Sequence, residues 1–268
     1  MYSLQALLLE QDHQEQQMSL EDRVEEMIGY KFRDPILLRQ VFTHHSFEEG
    51  CSSLERLAYL GDAALSFILA TWQYSLYTRL SPGELTKIRA INVDTEKLAR
   101  AALKNELHKF LRHRIPLLPI QIEGFRNEMK KYPLHSCGLI DAPKVLADIV
   151  EALIGAIFID SNSSMDTTSE ITIRLLEPII TPENLPTHPM TKLHEICQKN
   201  KLSLVIKDTW KDNGTVEFVV NGRFTGRATY KAKRTIAKTR AALDAYSQVV
   251  EALNVVQDEN ENSTCNSS

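Results

Sequence analysis

Two groups of acidic residues lie inside apolar stretches with helical spacing. The first stretch is Glu55-Arg-Leu-Ala-Tyr-Leu-Gly-Asp62, and in the second Asp148 and Glu151 are three residues apart. At about 100° per residue, the two acids of each stretch share one face of a helix. We expect Asp62 to lie deep within its apolar segment, where a carboxylate is costly unless it is paired or metal-bound. Carboxylate oxygens are hard ligands, so the pattern is typical of a Mg²⁺ or Mn²⁺ site.

Each acidic stretch taken alone also has a simpler explanation. A single acid in an apolar helix usually caps the helix, pairs with a base or lies at the edge of the core. The residues of either stretch leave this alternative open. The metal hypothesis rests on the occurrence of both stretches in one chain.

Helical patterns account for the chain from residue 19 to residue 180 and supply the elements that must position the acids. Strict alternation of apolar and polar residues is almost absent there, so we expect an all-helical body. The prolines between residues 115 and 143 break any long helix in that segment. Capping residues predict helix starts at Ser19, Asp34, Ser81 and Asp94.

The pattern changes after a proline-rich linker at 181–188. A short helix, three alternating segments and a closing amphipathic helix give the order α-β-β-β-α over 189–253, with a hairpin turn at Asp212-Asn213-Gly214. Residues 1–18 form a polar leader. Residues 254–268 form a short acidic tail, which we expect to be disordered.

The net charge of −4 hides an uneven distribution. A value near zero argues against a nucleic-acid-binding protein. Residues 187–253, however, contain 12 Lys and Arg against 6 Asp and Glu, while residues 1–186 contain 19 against 26. Cations between Lys231 and Arg240 open the last helix, where they oppose the helix dipole. An external anion such as phosphate explains them, and the alternative is a solvated basic face.

Several protein classes are excluded by bulk features of the sequence. The four cysteines are far apart and form no Cys-x-x-Cys pair, which favours reduced thiols over a disulfide framework or a zinc site. No apolar run approaches the roughly 20 residues that span a bilayer, and the leader lacks the basic flank of a signal peptide. We therefore expect a protein of the nucleus and/or cytoplasm with no membrane partner.

The two acidic stretches, together with shorter motifs in the same order, resemble the ribonuclease III family, and the resemblance covers nearly all of residues 20–253. The long 115–143 loop and the segment 143–148 resemble the eukaryotic branch, Dicer-like or plant-type. The family's fold is an all-α ribonuclease III domain, implied here for 19–180, followed by an α+β double-stranded-RNA-binding domain over 189–253. The shorter motifs are Ile28-Gly-Tyr-Lys-Phe32, Leu37-Leu38, Thr43-His44-His45-Ser46 and Gly83-Glu84-Leu-Thr-Lys-Ile-Arg89.

The resemblance implies a divalent-metal-dependent endoribonuclease. Enzymes of the family form homodimers through the catalytic domain and cut double-stranded RNA to leave 5′-phosphates and short 3′ overhangs. By position, Asp62, Asp148 and Glu151 are ligands of Mg²⁺ or Mn²⁺, and Asp62 and Glu151 match the most critical catalytic pair. Glu55 and Lys144 match positions near the RNA phosphate, although Lys144 has the alternative of a solvated first-turn lysine.

One departure from the family pattern affects the metal ligands. The signature helix usually carries a second acid four residues before its Asp, and here that position is Ala58. The usual set of four carboxylates is therefore incomplete, which predicts weaker metal binding. The alternative function is a weakly active or non-catalytic double-stranded-RNA-binding protein that retains the dimeric fold. An acidic helical interaction protein is a third hypothesis, but it leaves the basic helix unexplained.

The second domain also combines family positions with departures. The usual Gly-x-Gly before the basic helix is replaced by Thr229 and Lys231, and the expected Gly-Pro-x-His loop is absent. We therefore expect modest, salt-dependent RNA binding. By resemblance, Glu195 matches a position near the minor groove and its 2′-hydroxyls. The cations implied to contact phosphate are Lys231, Lys233, Arg234 and Lys238.

The adjacent histidines, His44 and His45, allow two interpretations. An imidazole is a common general base, which makes a catalytic role attractive. Their position matches a family motif that supports the fold near the site, so we predict a packing or hydrogen-bonding role for them.

Overall fold

The structure, a computed structural model, describes residues 19–265, so the predicted leader at 1–18 lies outside the described residues. Two compact units are present. Within the described range, the first contains residues 19–124 and 142–183, and the second contains residues 125–141 and 184–265. The change from one unit to the other after residue 183 falls inside the predicted linker.

The first unit is helical. A short 3₁₀ helix covers Leu107–Phe110, and the α-helix Leu118–Met129 begins in the first unit and ends in the second, with the change after residue 124. The α-helices up to residue 176 are α1 (Leu20–Ile28), α2 (Pro35–Val41), α3 (Glu55–Leu76), α4 (Pro82–Asn92), α5 (Thr95–Lys104), α6 (Leu118–Met129), α7 (Lys144–Asp160) and α8 (Met165–Leu176).

Local hydrogen bonds explain where several of these helices begin. Ser81 and Glu84 form a reciprocal capping box at the start of α4. The side chains of Ser19 and Asp94 accept backbone N–H groups at the starts of α1 and α5. Asp34 does the same before α2, whose first residue is a proline. These starts agree with the positions predicted from capping residues.

Two helices differ from the sequence expectation. Helix α6 forms inside the proline-rich segment, because Pro119 is its second residue, where a missing N–H costs no intrahelical bond. Helix α8 was not anticipated. It begins with Ser164 as its cap and buries Ile171 and Leu175 along one side.

Helix α7 is the centre of the first unit and is buried around most of its circumference. Helix α3 packs along it. A Cβ atom on Gly61 would lie 1.7 Å from the carbonyl oxygen of Glu151, and one on Gly155 would lie 2.2 Å from that of Leu57. The two glycines therefore allow a backbone-to-backbone approach that any side chain would prevent.

The second unit contains α9 (Pro189–Lys199), β1 (Leu204–Thr209), α10 (Trp210–Asn213), β2 (Thr215–Val220), β3 (Phe224–Thr229) and α11 (Arg234–Cys265). Its three strands form an antiparallel sheet in the order β1-β2-β3. In β2, Val216, Phe218 and Val220 are buried in a core that also contains Ala241 and Ala245 of α11. The predicted α-β-β-β-α order is thus observed, with one short helical turn added.

The added turn and the end of α11 are the two local differences in this unit. Helix α10 occupies the predicted hairpin turn and ends at Gly214, whose φ of 78° suits glycine. Helix α11 continues to Cys265, past the predicted helix end at Leu253 and into the tail expected to be disordered. The sequence from 254 to 265 contains no glycine or proline that would stop the helix.

Residues 125–141 pack with the second unit, although the predicted boundaries place them in the helical domain. Arg240 of α11 donates from Nε to the carbonyl oxygen of Leu139 at 2.7 Å and pairs with Glu128 at 3.3 Å. These long-range contacts were not visible in the local pattern. Among residues 19–265, no helix is both long and apolar enough to cross a membrane.

Candidate functional site

A cleft of about 350 Å³ lies along the line where α3 meets α7. Helix α3 contributes four of its lining residues and α7 contributes three. The structure therefore brings the two acidic stretches to one place, although 86 positions separate Asp62 from Asp148. The lining residues are Glu55, Ala58, Tyr59, Asp62, Lys144, Asp148 and Glu151.

The close helix crossing explains why the carboxylates converge. Gly61 is the residue before Asp62, and it lies against the backbone carbonyl of Glu151. A contact at this distance holds the two helices in one register, so Asp62 and Glu151 line the same cleft. On α3, Glu55 and Asp62 are seven residues apart and lie within about 20° of each other around the helix axis.

Burial differs among the three acids. Asp62 is exposed, which corrects the expectation that it lies deep in its apolar segment. The reason is that Gly61 is the residue that faces α7, and Asp62, the next residue, lies about 100° further around the axis of α3. Asp148 and Glu151 are partly buried in the wall of the cleft.

The electrostatics of the cleft centre on Glu151. Burial, together with the carboxylates of Asp148 and Asp62, raises the pKa of Glu151 to about 7, while the ammonium of Lys144 acts in the opposite direction. Lys144 pairs with Asp148 one helical turn away, and this hydrogen bond raises the pKa of Lys144. The single lysine does not neutralise three acids. Hard oxygen donors with excess negative charge fit a divalent cation such as Mg²⁺ or Mn²⁺.

Glu55 lies at the edge of the cleft and faces the histidine pair. Its Oε1 is 2.5 Å from Nδ1 of His45. Burial raises the pKa of Glu55, but hydrogen bonds from Ser53 and His45 outweigh it and bring that pKa to about 2. Nδ1 of His44 lies 2.9 Å from Oγ of Ser46. Both histidines therefore make hydrogen bonds, as predicted, and they adjoin the carboxylate at the cleft edge.

The cations predicted to bind RNA lie at the start of α11 and just before it. Lys233 pairs with Asp141 at 2.5 Å, and Arg234 donates from Nε to Asp208 at 2.7 Å. Lys231 is exposed, and Lys238 is partly buried one turn further along the helix. Glu195 is also exposed, on α9, which packs against α11.

Asp141 was missed by the sequence analysis. Besides pairing with Lys233, it accepts a hydrogen bond of 3.0 Å from the hydroxyl of Tyr230. Burial and this hydrogen bond raise the pKa of Tyr230 to about 12. No sequence signal links Asp141 to residues about 90 positions later, because the contact exists only when residues 125–141 pack on α11.

Similarity to known proteins covers both units. Residues 55–162 match the ribonuclease III domain, and residues 189–249 match the double-stranded RNA binding motif. Ribonuclease 3-like protein 3 of Oryza sativa subsp. japonica is 45% identical over 241 residues, which span 88% of this chain and 80% of that protein. The chain belongs to the ribonuclease III family. The family resemblance and the fold predicted from the motifs are therefore confirmed.

Other members of the ribonuclease III family extend the comparison. Ribonuclease 3-like protein 2 of the same plant is 38% identical, over 83% of this chain and 73% of its own length. Among solved structures, a nuclease domain of ribonuclease III from Campylobacter jejuni is 27% identical, with a TM-score of 0.46, over 62% of this chain and 98% of that one. In this member of the family, the four acids that line the cleft fall within the matched domain: Glu55, Asp62, Asp148 and Glu151.

Proposed function

We propose that this chain is a divalent-metal-dependent endoribonuclease that cleaves double-stranded RNA. One observation carries the proposal. Asp62 of α3 and Asp148 and Glu151 of α7 line a single cleft, in a chain that also contains a double-stranded RNA binding motif. A site of this kind needs both a cation-binding centre and a surface that holds a polyanion, and the two matched domains supply one each.

The three carboxylates of the cleft are the proposed ligands of Mg²⁺ or Mn²⁺. When bound, such a cation lowers the pKa of a coordinated water and stabilises the charge that develops on the leaving 3′-oxygen. Glu151 supports the assignment, because its burial and the neighbouring carboxylates of Asp148 and Asp62 raise its pKa. Asp62, Asp148 and Glu151 would hold the cation, whose charge would offset the repulsion among them, and Glu151 would give up its proton on becoming a ligand.

Lys144 and Glu55 are proposed to act on the substrate at the rim of the cleft. The ammonium of Lys144 already pairs with the carboxylate of Asp148 and is otherwise exposed. A scissile phosphate entering the cleft offers this ammonium a second anion at the same place. Glu55 is ionised, exposed and aligned with Asp62 on α3, a position suited to contact with RNA beside the scissile bond.

The basic start of α11 is proposed to hold the phosphates of the duplex, and Glu195 its 2′-hydroxyls. Double-stranded-RNA-binding domains read the shape of the duplex through contacts of this kind. Two of the cations pair with acids in this chain, Lys233 with Asp141 and Arg234 with Asp208. Phosphates must displace those carboxylates, which supports the expectation of modest, salt-dependent affinity. The proposed phosphate contacts are Lys231, Lys233, Arg234 and Lys238.

A homodimer through the helical domain is proposed from an exposed aromatic stripe on α3. Tyr59, Phe67 and Tyr74 are 84%, 55% and 76% exposed. Their spacing puts them within an arc of about 80° around the helix. Exposed aromatic side chains repeated along one helix face favour an interface. Tyr59 also lines the cleft, so a dimer formed through this face would bring two cleavage sites near its axis. We expect such a pair of sites to make staggered cuts with short 3′ overhangs, and departure of the 3′-oxygen to leave 5′-phosphates.

Ala58 favours the second candidate function, a weakly active or non-catalytic double-stranded-RNA-binding protein. Its methyl group lines the cleft at the position where the family usually has an acid. Loss of one carboxylate lowers the charge available to a cation. This alternative keeps the fold, the dimer and the RNA-binding surface, and it differs from the first only in the rate of cleavage.

Cleavage of a long RNA duplex in Mg²⁺ or Mn²⁺ distinguishes the two functions. The parent protein is expected to cut the duplex, and Asp62→Asn and Glu151→Gln are expected to abolish cutting while both variants still bind the duplex. Cutting that persists in both variants would refute the assigned site. A parent protein that binds but does not cut in either metal would establish the RNA-binding alternative.

A further inference from the structure

A second group of metal-ligating side chains lies beside the cleft. It contains His44 and His45, which follow α2, and Glu55, the first residue of α3. Among residues 19–265, these three form the group of His, Cys, Asp and Glu side chains whose ligand atoms all lie within 4.8 Å of one another. The imidazole rings of His44 and His45 are 3.9 Å apart between centroids, with an interplanar angle of 37°.

The protonation states of the group favour coordination. Hydrogen bonds from Ser53 and His45 keep Glu55 ionised, against the opposing effect of its burial. Burial and the neighbouring His45 lower the pKa of His44, so its imidazole is neutral at physiological pH. A metal requires this neutral form of histidine and the charged form of glutamate.

Ser46 supplies an outer hydrogen bond that orients His44. Nδ1 of His44 accepts the backbone N–H of Ser46 at 3.1 Å and lies 2.9 Å from Oγ of Ser46, so the neutral ring carries its proton on Nε2. Coordination through Nε2 requires this proton to move to Nδ1, where Oγ of Ser46 can accept it in exchange for the backbone hydrogen bond. His45 needs only to exchange the hydrogen bond at Nδ1 for a metal ion bridging it to Glu55.

We propose that His44, His45 and Glu55 form a site for a transition-metal ion of intermediate softness, such as Zn²⁺. Two imidazoles and one carboxylate are a typical zinc ligand set that leaves a position open to water. The all-oxygen cleft, in contrast, suits harder cations. The site goes beyond the proposed cleavage reaction and does not depend on it, although Glu55 borders both places.

The site is tested by Co²⁺ titration of the full chain, followed by visible absorption and by displacement with Zn²⁺. Excess Mg²⁺ is present throughout to occupy the carboxylate cleft. The parent protein is expected to bind one Co²⁺ whose absorption bands disappear when Zn²⁺ is added. His45→Ala and Glu55→Gln are expected to weaken this binding by about tenfold or more, since each removes one of three ligands.

Matched variants separate this site from other metal-binding groups. His194→Ala removes an exposed histidine of the second unit, and Asp62→Asn removes a carboxylate of the cleft. Neither is expected to change Co²⁺ binding. His45 is 68% exposed, so its replacement should leave the melting temperature unchanged. Equal Co²⁺ affinity in the parent and His45→Ala would overturn the proposal, and so would loss of the site in Asp62→Asn alone.

The outcome is independent of cleavage. If the protein binds Co²⁺ through His44 and His45 but cuts no RNA, the metal site is supported and the proposed enzymatic function is refuted. If the protein cuts RNA but binds Co²⁺ equally well with and without His45, the proposed function is supported and the metal site is refuted. The two hypotheses therefore fail on different measurements.

Discussion

The backbones of Gly61 and Gly155 meet where α3 packs on α7. A Cβ atom on Gly61 would lie 2.9 Å from the amide nitrogen of Gly155, and one on Gly155 would lie 3.0 Å from the amide nitrogen of Gly61. The neighbours of these glycines include Asp62 and, one helical turn from Gly155, Glu151. The same helix contact therefore sets both the packing of the first unit and the spacing of its carboxylates.

Replacement of Gly61 by alanine is expected to damage stability and the cleft together. The added methyl group would overlap the carbonyl oxygen of Glu151, so the helices must separate. Overpacking of this kind costs about 1–3 kcal/mol or more in the free energy of unfolding. Chemical denaturation measures the loss, and cleavage should fall with it because Asp62 moves away from Glu151.

The control for Gly61→Ala is Gly124→Ala. Gly124 is also a helical glycine, but a Cβ atom there would meet nothing within 4 Å. Its replacement should raise the free energy of unfolding by about 0.4–1 kcal/mol, because alanine restricts the unfolded chain. Equal effects of the two substitutions would show that the close helix contact is not needed.

Ala58→Glu is expected to strengthen metal binding. Ala58 lines the cleft, and a carboxylate there restores the charge that the family pattern usually has. The Mg²⁺ concentration for half-maximal cleavage should fall about tenfold, because the number of charged ligands sets the affinity of such sites. Ala58→Gln provides the same length without the charge. A metal titration that is unchanged in Ala58→Glu would show that this position is not a ligand here.

The affinity for Mn²⁺ is expected to depend on pH through Glu151. Burial and the adjacent acids Asp148 and Asp62 raise the pKa of Glu151 to about 7, so below that pH the metal must displace a proton. The apparent dissociation constant should therefore increase about tenfold for each unit that the pH falls below 7. Calorimetric titration without RNA measures this slope. Glu151→Gln should bind more weakly at neutral pH and with a flatter slope, and an identical slope would exclude Glu151 as the source.

Asp141→Asn is expected to strengthen RNA binding. The change releases Lys233, which is paired with Asp141, to contact a phosphate. One additional phosphate contact makes the slope of log affinity against log salt more negative by about 0.9. Fluorescence anisotropy with a labelled duplex at several salt concentrations measures both effects. Glu49→Gln is the control, because it removes an equal charge from an exposed site in the first unit. A similar gain in RNA affinity in this variant would show that the change in net charge, and not the release of Lys233, is the cause.

Phe67→Glu is expected to convert a dimer to a monomer. The substitution places a charge in the centre of the exposed aromatic stripe on α3. Burial of an unpaired carboxylate in an interface is unfavourable, so association should weaken. Sedimentation velocity measures the state of assembly. Ile120→Glu alters another exposed apolar residue, at 71% exposure, and should leave it unchanged. A parent protein that is monomeric would contradict the stripe as an interface.

Short-range interactions that the sequence encodes determine where many of the helices and strands lie. Hydrogen bonds between residues close in sequence form the capping box of Ser81 and Glu84 and the cap at Asp94, so the sequence alone predicts them. Alternation in β2 places Val216, Phe218 and Val220 on one buried face, as the period of a strand requires. The sequence by itself also determined that each acidic stretch has its carboxylates on one helical face.

Only the tertiary structure decided how these faces meet. Asp62 is exposed because Gly61, not Asp62, faces α7, and this choice depends on which side of α3 is covered. Asp141 reaches Lys233 because residues 125–141 pack on α11, a contact with no local signature. Local propensity extends over a few residues, whereas these relationships join positions tens of residues apart. They arise from packing the whole chain, which is why the motifs predicted the carboxylates but not the cations' partners.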